Sequence, residues 1–132
     1  MLVRRLGEAA VEEFHRLRSH ILMDAGELGS RNMSVTWVEV PSGVGQKLHS
    51  DEEAEQVYVV VRGAGSMSVA GDTQRIEEGD LILVPPATDH AIECPDDSDL
   101  TLVSVQSPPV AVSEHYGRQL AEVTGYDEEE DY

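Results

Sequence analysis

The sequence is poor in several residue types, and each shortage limits what the protein can be. Its single cysteine, Cys94, excludes an internal disulfide, and nothing in the chain requires an oxidising compartment. No apolar run is long enough for a transmembrane helix. Acidic residues also interrupt the start of the chain before the apolar stretch of a secretory signal can form. These shortages predict a cytoplasmic protein.

Basic residues are equally scarce, with nine Lys and Arg against 26 Asp and Glu and a formal net charge of −17. Such a surface repels the phosphates of nucleic acids and of anionic lipids, so we expect neither as a partner. The acidic excess has two explanations, which are adaptation to a salt-rich cytosol and an ordinary solvated acidic coat. Neither explanation bears on the chemistry of the protein.

What the sequence does contain is a series of short strand-like segments. The 132 residues, of which 40% are hydrophobic, suit a single domain with one core. Segments rich in β-branched and aromatic residues are separated by Gly and Pro, and they lie at residues 33–40, 57–61, 66–70, 81–84, 91–94 and 100–106. Short strands at near-regular spacing predict a β-sandwich or a closed β-barrel.

The two ends of the chain are predicted to differ from this strand series. Apolar residues spaced among charges favour a short amphipathic helix over residues 8–18, and residues 19–25 follow as a first strand. Residues 113–123 predict a last helix, and residues 127–131 are all acidic and therefore solvated. The predicted segments are an N-terminal helix and first strand in residues 1–30, a barrel in residues 31–112, and a C-terminal helix with an acidic tail in residues 113–132.

Four side chains that can bind a metal lie beside the predicted strands, and they are His49, Asp51, Gln56 and His90. Alternate residues of a strand share a face, so His49 and Asp51 point the same way. Gln56 begins the next strand and can approach the same point from a neighbouring strand. A shift of one residue in register would put Glu55 there instead. His90 follows a double-proline turn, which restricts its position before folding.

The spacing of these residues resembles the two sequence motifs of the cupin family. Residues 43–63 read G-x5-H-x-D-x4-Q-x6-G, where the first cupin motif has Gly, His-x-His, Glu and Gly. Residues 79–94 read G-x5-P-x-A-x2-H-x3-C, where the second motif has Gly, Pro, Gly, His and Asn. The resemblance covers about residues 34–106. It implies an all-β double-stranded β-helix, a jelly-roll barrel, to which the end segments add short N- and C-terminal helices.

The resemblance also implies one divalent metal ion inside the barrel, bound by His49, Asp51, Gln56 and His90, and it implies a homodimer. Two imidazoles with a carboxylate suit iron(II), and manganese, nickel and zinc also accept nitrogen and oxygen ligands. The histidine and aspartate pattern is shared with the 2-oxoglutarate-dependent oxygenases, which place an arginine beyond the last histidine. Residues 95–100 are acidic here and would repel a dicarboxylate, which argues against that class.

Three functions are compatible with these features, because the cupin barrel hosts many chemistries. The first is a metal-dependent enzyme, a dioxygenase or an isomerase or lyase, acting on a small organic molecule. Tyr58 is then the candidate catalytic residue that orients the substrate or acts as an acid. The second is a non-catalytic small-molecule-binding module, and the third is a structural barrel that has lost its metal. The chain has no helix-turn-helix and no basic face, which disfavours a transcription regulator.

Overall fold

The computed structural model describes residues 1–109, and its strands form a closed barrel of two antiparallel sheets. These residues contain the strands β1 (Ala10–Phe14), β2 (Leu17–Met23), β3 (Ser34–Val40), β4 (Glu55–Val69), β5 (Asp72–Glu77), β6 (Leu81–Val84), β7 (His90–Glu93) and β8 (Leu100–Ser107). Two single turns of 3-10 helix, Leu6–Glu8 and Glu27–Gly29, are the helical elements of this part of the chain. None of its helices is long and apolar enough to span a membrane.

The long strand β4 connects the two sheets. Its first half lies in the first sheet, where the strand order is β1-β2-β3-β8-β4-β6. Its second half lies in the second sheet between β5 and β7. A strand that passes from one sheet to the other closes the barrel at that corner, and the predicted all-β jelly-roll architecture is thereby confirmed.

The predicted break between residues 57–61 and 66–70 is wrong, because β4 continues through this region. A bulge lies between Val60 and Arg62, and Gly63 follows with a positive φ of 83°. A Cβ atom on Gly63 would collide with the carbonyl oxygen of Asp99. Glycine therefore allows the start of β8 to approach the bend and does not end the strand.

The predicted helix over residues 8–18 is also wrong, since this segment forms the β1–β2 hairpin. The turn residues His15 and Arg16 both have positive φ, at 53° and 70°, as a two-residue hairpin turn requires. Phe14 packs against Ile21 on β2. Strand β1 pairs with an edge of β2 that a helix would leave open, and this pairing overrides a weak helical pattern. The predicted C-terminal helix lies outside the described residues.

The interior of the barrel is apolar at one end and polar at the other. On β8 the inward residues are Leu100 and Leu102, with 1% and 0% exposure, followed by Ser104 and Gln106 with 8% and 6%. Val60 of β4 belongs to the same apolar cluster, and burying each such side chain contributes roughly 1.5–3 kcal/mol. The apolar end supplies the stability of the fold, and the polar end contains the candidate site.

Candidate functional site

His49 and His90 lie opposite each other inside the barrel. The backbones of the two residues form an isolated antiparallel bridge. The amide of His49 donates to the carbonyl oxygen of His90 at 3.0 Å, and the amide of His90 donates to the carbonyl oxygen of His49 at 2.9 Å. Their ring centroids are 4.3 Å apart, and the residues are 4% and 1% exposed. The structure thus brings together two imidazoles that are 41 positions apart in the chain.

Backbone hydrogen bonds determine the tautomer of both rings. The Nδ1 atom of His49 lies 2.9 Å from the carbonyl oxygen of Lys47, and Nδ1 of His90 lies 3.0 Å from that of Thr88. A carbonyl oxygen only accepts hydrogen bonds, so Nδ1 carries the proton and the lone pair of the neutral ring is on Nε2. Proteins orient metal-binding histidines through this kind of hydrogen bond. The chemistry of the pair therefore fits a divalent metal bound through the two Nε2 atoms.

Asp51 is 9% exposed and connects three parts of the structure. Its Oδ1 accepts hydrogen bonds from the amides of Glu53 and Ala54 at 3.0 and 2.9 Å. Its Oδ2 accepts one from the Nε2 of Gln106 at 3.2 Å, and its carbonyl oxygen accepts one from the amide of Ala87 at 2.6 Å. A carboxylate accepts about four hydrogen bonds, and the contacts of this side chain use three of them. Carboxylates that bind metals are themselves hydrogen-bonded, so these contacts are compatible with a ligand role as well as with a structural one.

Gln56 and not Glu55 faces the interior. Gln56 is 4% exposed, whereas Glu55 lies on the exposed side of β4. The Nε2 atom of Gln56 donates to the hydroxyl of Ser104 at 2.9 Å, so the amide oxygen is the atom that Gln56 can offer to a ligand. Tyr58 is buried on the same face of β4, and its ring centroid lies 6.1 Å from that of His90.

The structure therefore gathers the predicted residues in one region without forming a complete ligand set. Among residues 1–109 there is no group of three or more His, Cys, Asp or Glu side chains arranged to hold a metal ion. His49 and His90 provide two suitable nitrogen atoms, and a third ligand of those residue types does not join them. That Asp51 and Gln56 bind the same ion stays a prediction.

Two further polar residues of the interior, Ser104 and Gln106, were missed by the sequence analysis. Both lie on the inward face of β8, opposite Tyr58 and Gln56 in the strand pairing. Their signal is the alternation along β8, since they share a face with the buried Leu102. The buried polar residues in the described part of the chain include no Lys or Arg, and they are Ser19, Ser34, His49, Asp51, Gln56, His90, Thr101, Ser104 and Gln106.

The loop before His90 is held in a strained conformation. Ala87 has a positive φ of 57°, in the left-handed region of backbone conformation that residues with a Cβ atom rarely adopt. The same loop presents the amide of Ala87 to Asp51 and the carbonyl oxygen of Thr88 to the ring of His90. The strained loop therefore helps to orient His90.

Cys94, which occupies the last position of the second motif, is a buried apolar side chain and not a nucleophile. It is 1% exposed, and its thiol donates to the carbonyl oxygen of Ser98 at 3.1 Å. Burial raises the pKa of the Cys94 thiol, and the charge of Asp99 raises it further. A thiol of raised pKa is protonated at neutral pH and is a weak nucleophile.

Comparison with known sequences identifies the family. The model of the cupin domain matches residues 36–106, more than half of the chain. An uncharacterized protein of Methanocaldococcus jannaschii is 31% identical over 70 residues, which cover 53% of this chain and 56% of that protein. An uncharacterized protein of Streptomyces coelicolor is 33% identical over 84 residues, which cover 62% of this chain and 76% of that protein. The chain thus spans little more than half the length of the Methanocaldococcus relative.

Solved structures of low sequence identity have the same barrel. KdgF from Halomonas sp. has a TM-score of 0.71 at 19% identity and covers 83% of this chain and 96% of its own. A predicted oxalate decarboxylase from Thermotoga maritima has a TM-score of 0.73 at 20% identity, and the match covers 80% of this chain and 98% of that one. The polyketide cyclase RemF from Streptomyces resistomycificus has a TM-score of 0.72 at 17% identity, and the match covers 82% of this chain and 80% of that one. These likenesses show the fold, and together with the family match they show that the chain belongs to the cupin family.

Proposed function

We propose that this cupin is a metal-dependent enzyme, a dioxygenase or an isomerase or lyase, which acts on a small organic molecule inside the barrel. The observation that carries the proposal is the buried pair of His49 and His90. In both rings a backbone carbonyl holds the proton on Nδ1, which leaves Nε2 to bind a metal. The named structural neighbours, an oxalate decarboxylase-like protein and a polyketide cyclase, support a catalytic role for such a barrel.

In this proposal Nε2 of His49 and of His90 hold a divalent ion, with Gln56 and Asp51 as oxygen donors. Iron, manganese, nickel and zinc are all compatible with these ligands. The bound metal supplies a Lewis acid or a redox centre.

The other residues of the interior act on the substrate. Tyr58 lies on the same face of β4 as Gln56, and its ring centroid is 6.1 Å from that of His90. A tyrosine hydroxyl both donates and accepts hydrogen bonds, so it can orient a substrate or give it a proton. The hydroxyl of Ser104 and the amide of Gln106 offer further polar contacts.

Metal analysis of purified variants tests the proposal. We expect about one divalent ion per chain in the wild type, and its loss in His49→Ala and His90→Ala. His20→Ala is the matched control, because His20 lies on the outer side of the first sheet and contacts Glu39 at 3.2 Å. Added metal should raise the melting temperature of the wild type and of the control only. Equal metal content in all four proteins would refute the site.

A second function is favoured by the hydrogen bonds of Asp51. Because that carboxylate already accepts three hydrogen bonds, the chain also fits a non-catalytic barrel that binds a small organic molecule or has only a structural role. Such a barrel would keep its melting temperature when a chelator is added, since no metal binding energy would be linked to folding. A cytoplasmic location is part of the proposal, and the net charge of −17 disfavours nucleic acids and anionic membranes as partners.

A further inference from the structure

A groove lies on the outer face of the second sheet, on the opposite side of β7 from the ring of His90. Its volume is about 690 Å³, which is within the range of small-molecule sites in proteins. Side chains of β4, β5 and β7 line the groove, together with the loop before β7 and the segment before His49. Small residues leave room for it, and they are Ala70, Gly71, Ala87 and Ala91.

Two carboxylates lie at opposite ends of the groove along β7. His90 and Ile92 point into the barrel and are each 1% exposed, so the alternate residues point outward, and Asp89 and Glu93 line the groove. The amide of Ala70 donates to the carbonyl oxygen of Asp89 at 3.0 Å, which extends the ladder between β4 and β7 by one residue. The Cα atoms of Asp89 and Glu93 are therefore about 13 Å apart along the extended chain.

These two charges have no counter-charge in the groove. Within residues 1–109, neither carboxylate forms a hydrogen bond or an ion pair, and no Lys or Arg of these residues lines the groove. Arg75 on the neighbouring strand β5 is paired with Glu77 at 3.4 Å. The carboxylates are too far apart to bind one metal ion, since metal–oxygen distances are about 2.0–2.6 Å. An occupant of the groove must therefore present positive charge at two separate points.

Hydroxyl groups lie between the two carboxylates. Ser68 pairs with Ala91 of β7 on one side and with Thr73 of β5 on the other. This row of three residues crosses the groove midway between its charged ends. The hydroxyl oxygens of Ser68 and Thr73 are 2.6 Å apart, so one donates to the other, and each oxygen can still accept a hydrogen bond. A donor in the middle of the occupant would meet these oxygens.

We propose that the groove binds a linear polyamine, a flexible chain with an ammonium group at each end and a secondary ammonium between them. The terminal groups contact Asp89 and Glu93, and the central group donates to the hydroxyl oxygens in the middle of the groove. Leu48, which lines the groove and is 57% exposed, contacts the methylene groups. Spermidine has this arrangement, with terminal nitrogens about 11 Å apart when it is extended. The proposal is independent of the metal site.

Three amines of defined length and charge test the proposal by isothermal titration calorimetry of the wild-type protein. The amine 1,8-diaminooctane has the length of spermidine without its central ammonium, and 1,3-diaminopropane has the same charge as the octane but is too short to reach both carboxylates. At physiological salt, where charges more than about 8 Å apart are screened, we expect the affinity to fall in that order, by about threefold and then by about tenfold. Equal affinity for the two diamines, or no binding of spermidine, would overturn the proposal.

A matched pair of double variants locates the site. Asp89→Asn with Glu93→Gln removes both carboxylates of the groove, and Glu78→Gln with Asp97→Asn removes two exposed carboxylates that do not line it. Both variants change the net charge by the same amount. The groove variant should bind spermidine about tenfold more weakly than the wild type, whereas the control should remain within about twofold. If both weaken equally, the amine is attracted by the acidic surface as a whole and the proposal is wrong.

A third variant, Ser68→Ala with Thr73→Val, tests the contact to the central ammonium. It should weaken the binding of spermidine by about threefold and leave that of 1,8-diaminooctane unchanged. Equal weakening of both amines would show that the hydroxyls do not receive the central ammonium, and the polyamine assignment would fail. Circular dichroism confirms that the variants keep the barrel. If a variant does not fold, the amine series on the wild type decides alone, because it needs no substitution.

Discussion

Substitution of Asp51 separates its structural contacts from a role as a metal ligand. Asp51→Asn keeps one oxygen for the amides of Glu53 and Ala54, but it places an NH2 group against the NH2 group of Gln106, so this hydrogen bond is lost. A hydrogen bond to a charged group contributes about 1.5–3 kcal/mol. We therefore expect Asp51→Asn to lower the free energy of unfolding by about 2 kcal/mol.

Asp51→Ala should be more damaging than Asp51→Asn. It removes the acceptor of all three donors, and Ala54 and Gln106 are buried, at 3% and 6% exposure, so their N–H groups lose a partner that water cannot easily replace. Glu53 is exposed, and its amide can turn to water at little cost. Two unsatisfied buried donors cost about 1–3 kcal/mol each, which predicts a loss of about 4 kcal/mol in total.

Urea unfolding followed by circular dichroism measures both losses, provided that the slope with denaturant is unchanged. A metal titration on the same proteins then distinguishes the two roles. If Asp51→Asn binds metal as the wild type does, Asp51 positions the loops around the histidines. If its metal affinity falls as far as that of His49→Ala, Asp51 is the ligand that the motif predicts. Equal stability of Asp51→Asn and Asp51→Ala would refute the hydrogen-bond reasoning.

Two further predictions concern strain and pH. Ala87→Gly should raise the free energy of unfolding by about 0.5–1 kcal/mol, because glycine adopts the positive φ of this position without steric cost. A melting temperature equal to or below that of the wild type would contradict this. Burial raises the pKa of Glu39, but hydrogen bonds from His20 and Trp37 and the charges of His20 and Arg18 outweigh it and lower the pKa below 4.5. The resulting stability is present above pH 4.5 and is lost as the pH falls through the lowered pKa. Glu39→Gln should therefore lose less stability than the wild type on acidification, as measured by urea midpoints between about pH 5 and pH 3. Parallel pH curves would refute it.

The amino-acid sequence by itself determined the class of fold and the position of its main strands. The β-branched residues of β3, β6 and β8 lie between Gly and Pro residues, and local pattern is sufficient to place such strands. The spacing of His49 and His90 within the two motifs also indicated that they belong to one site. The strand signal is local, because it depends on residues within one strand or one turn, whereas the assignment of the two histidines to one site rests on the resemblance to the two cupin motifs.

The tertiary structure alone decided which residues surround that site and what they contact. The β1–β2 hairpin forms because an open strand edge needs a partner, and a helical pattern in residues 8–18 carries no information about that edge. Strand β5 has a single buried residue, Ile76, so it shows no apolar alternation and exists only because β4 lies beside it.

The contacts of Asp51 show the same limit at the site. Its place in the first motif implies a metal ligand, which stays a prediction. The structure adds that the carboxylate accepts hydrogen bonds from two amides of its own turn and from Gln106, 55 positions away. Ser104 and Gln106 line the site because the register of β8 against β4 turns them inward. The sequence gives the chemical groups of the side chains, but which groups form hydrogen bonds with each other depends on strands that meet only when the barrel closes.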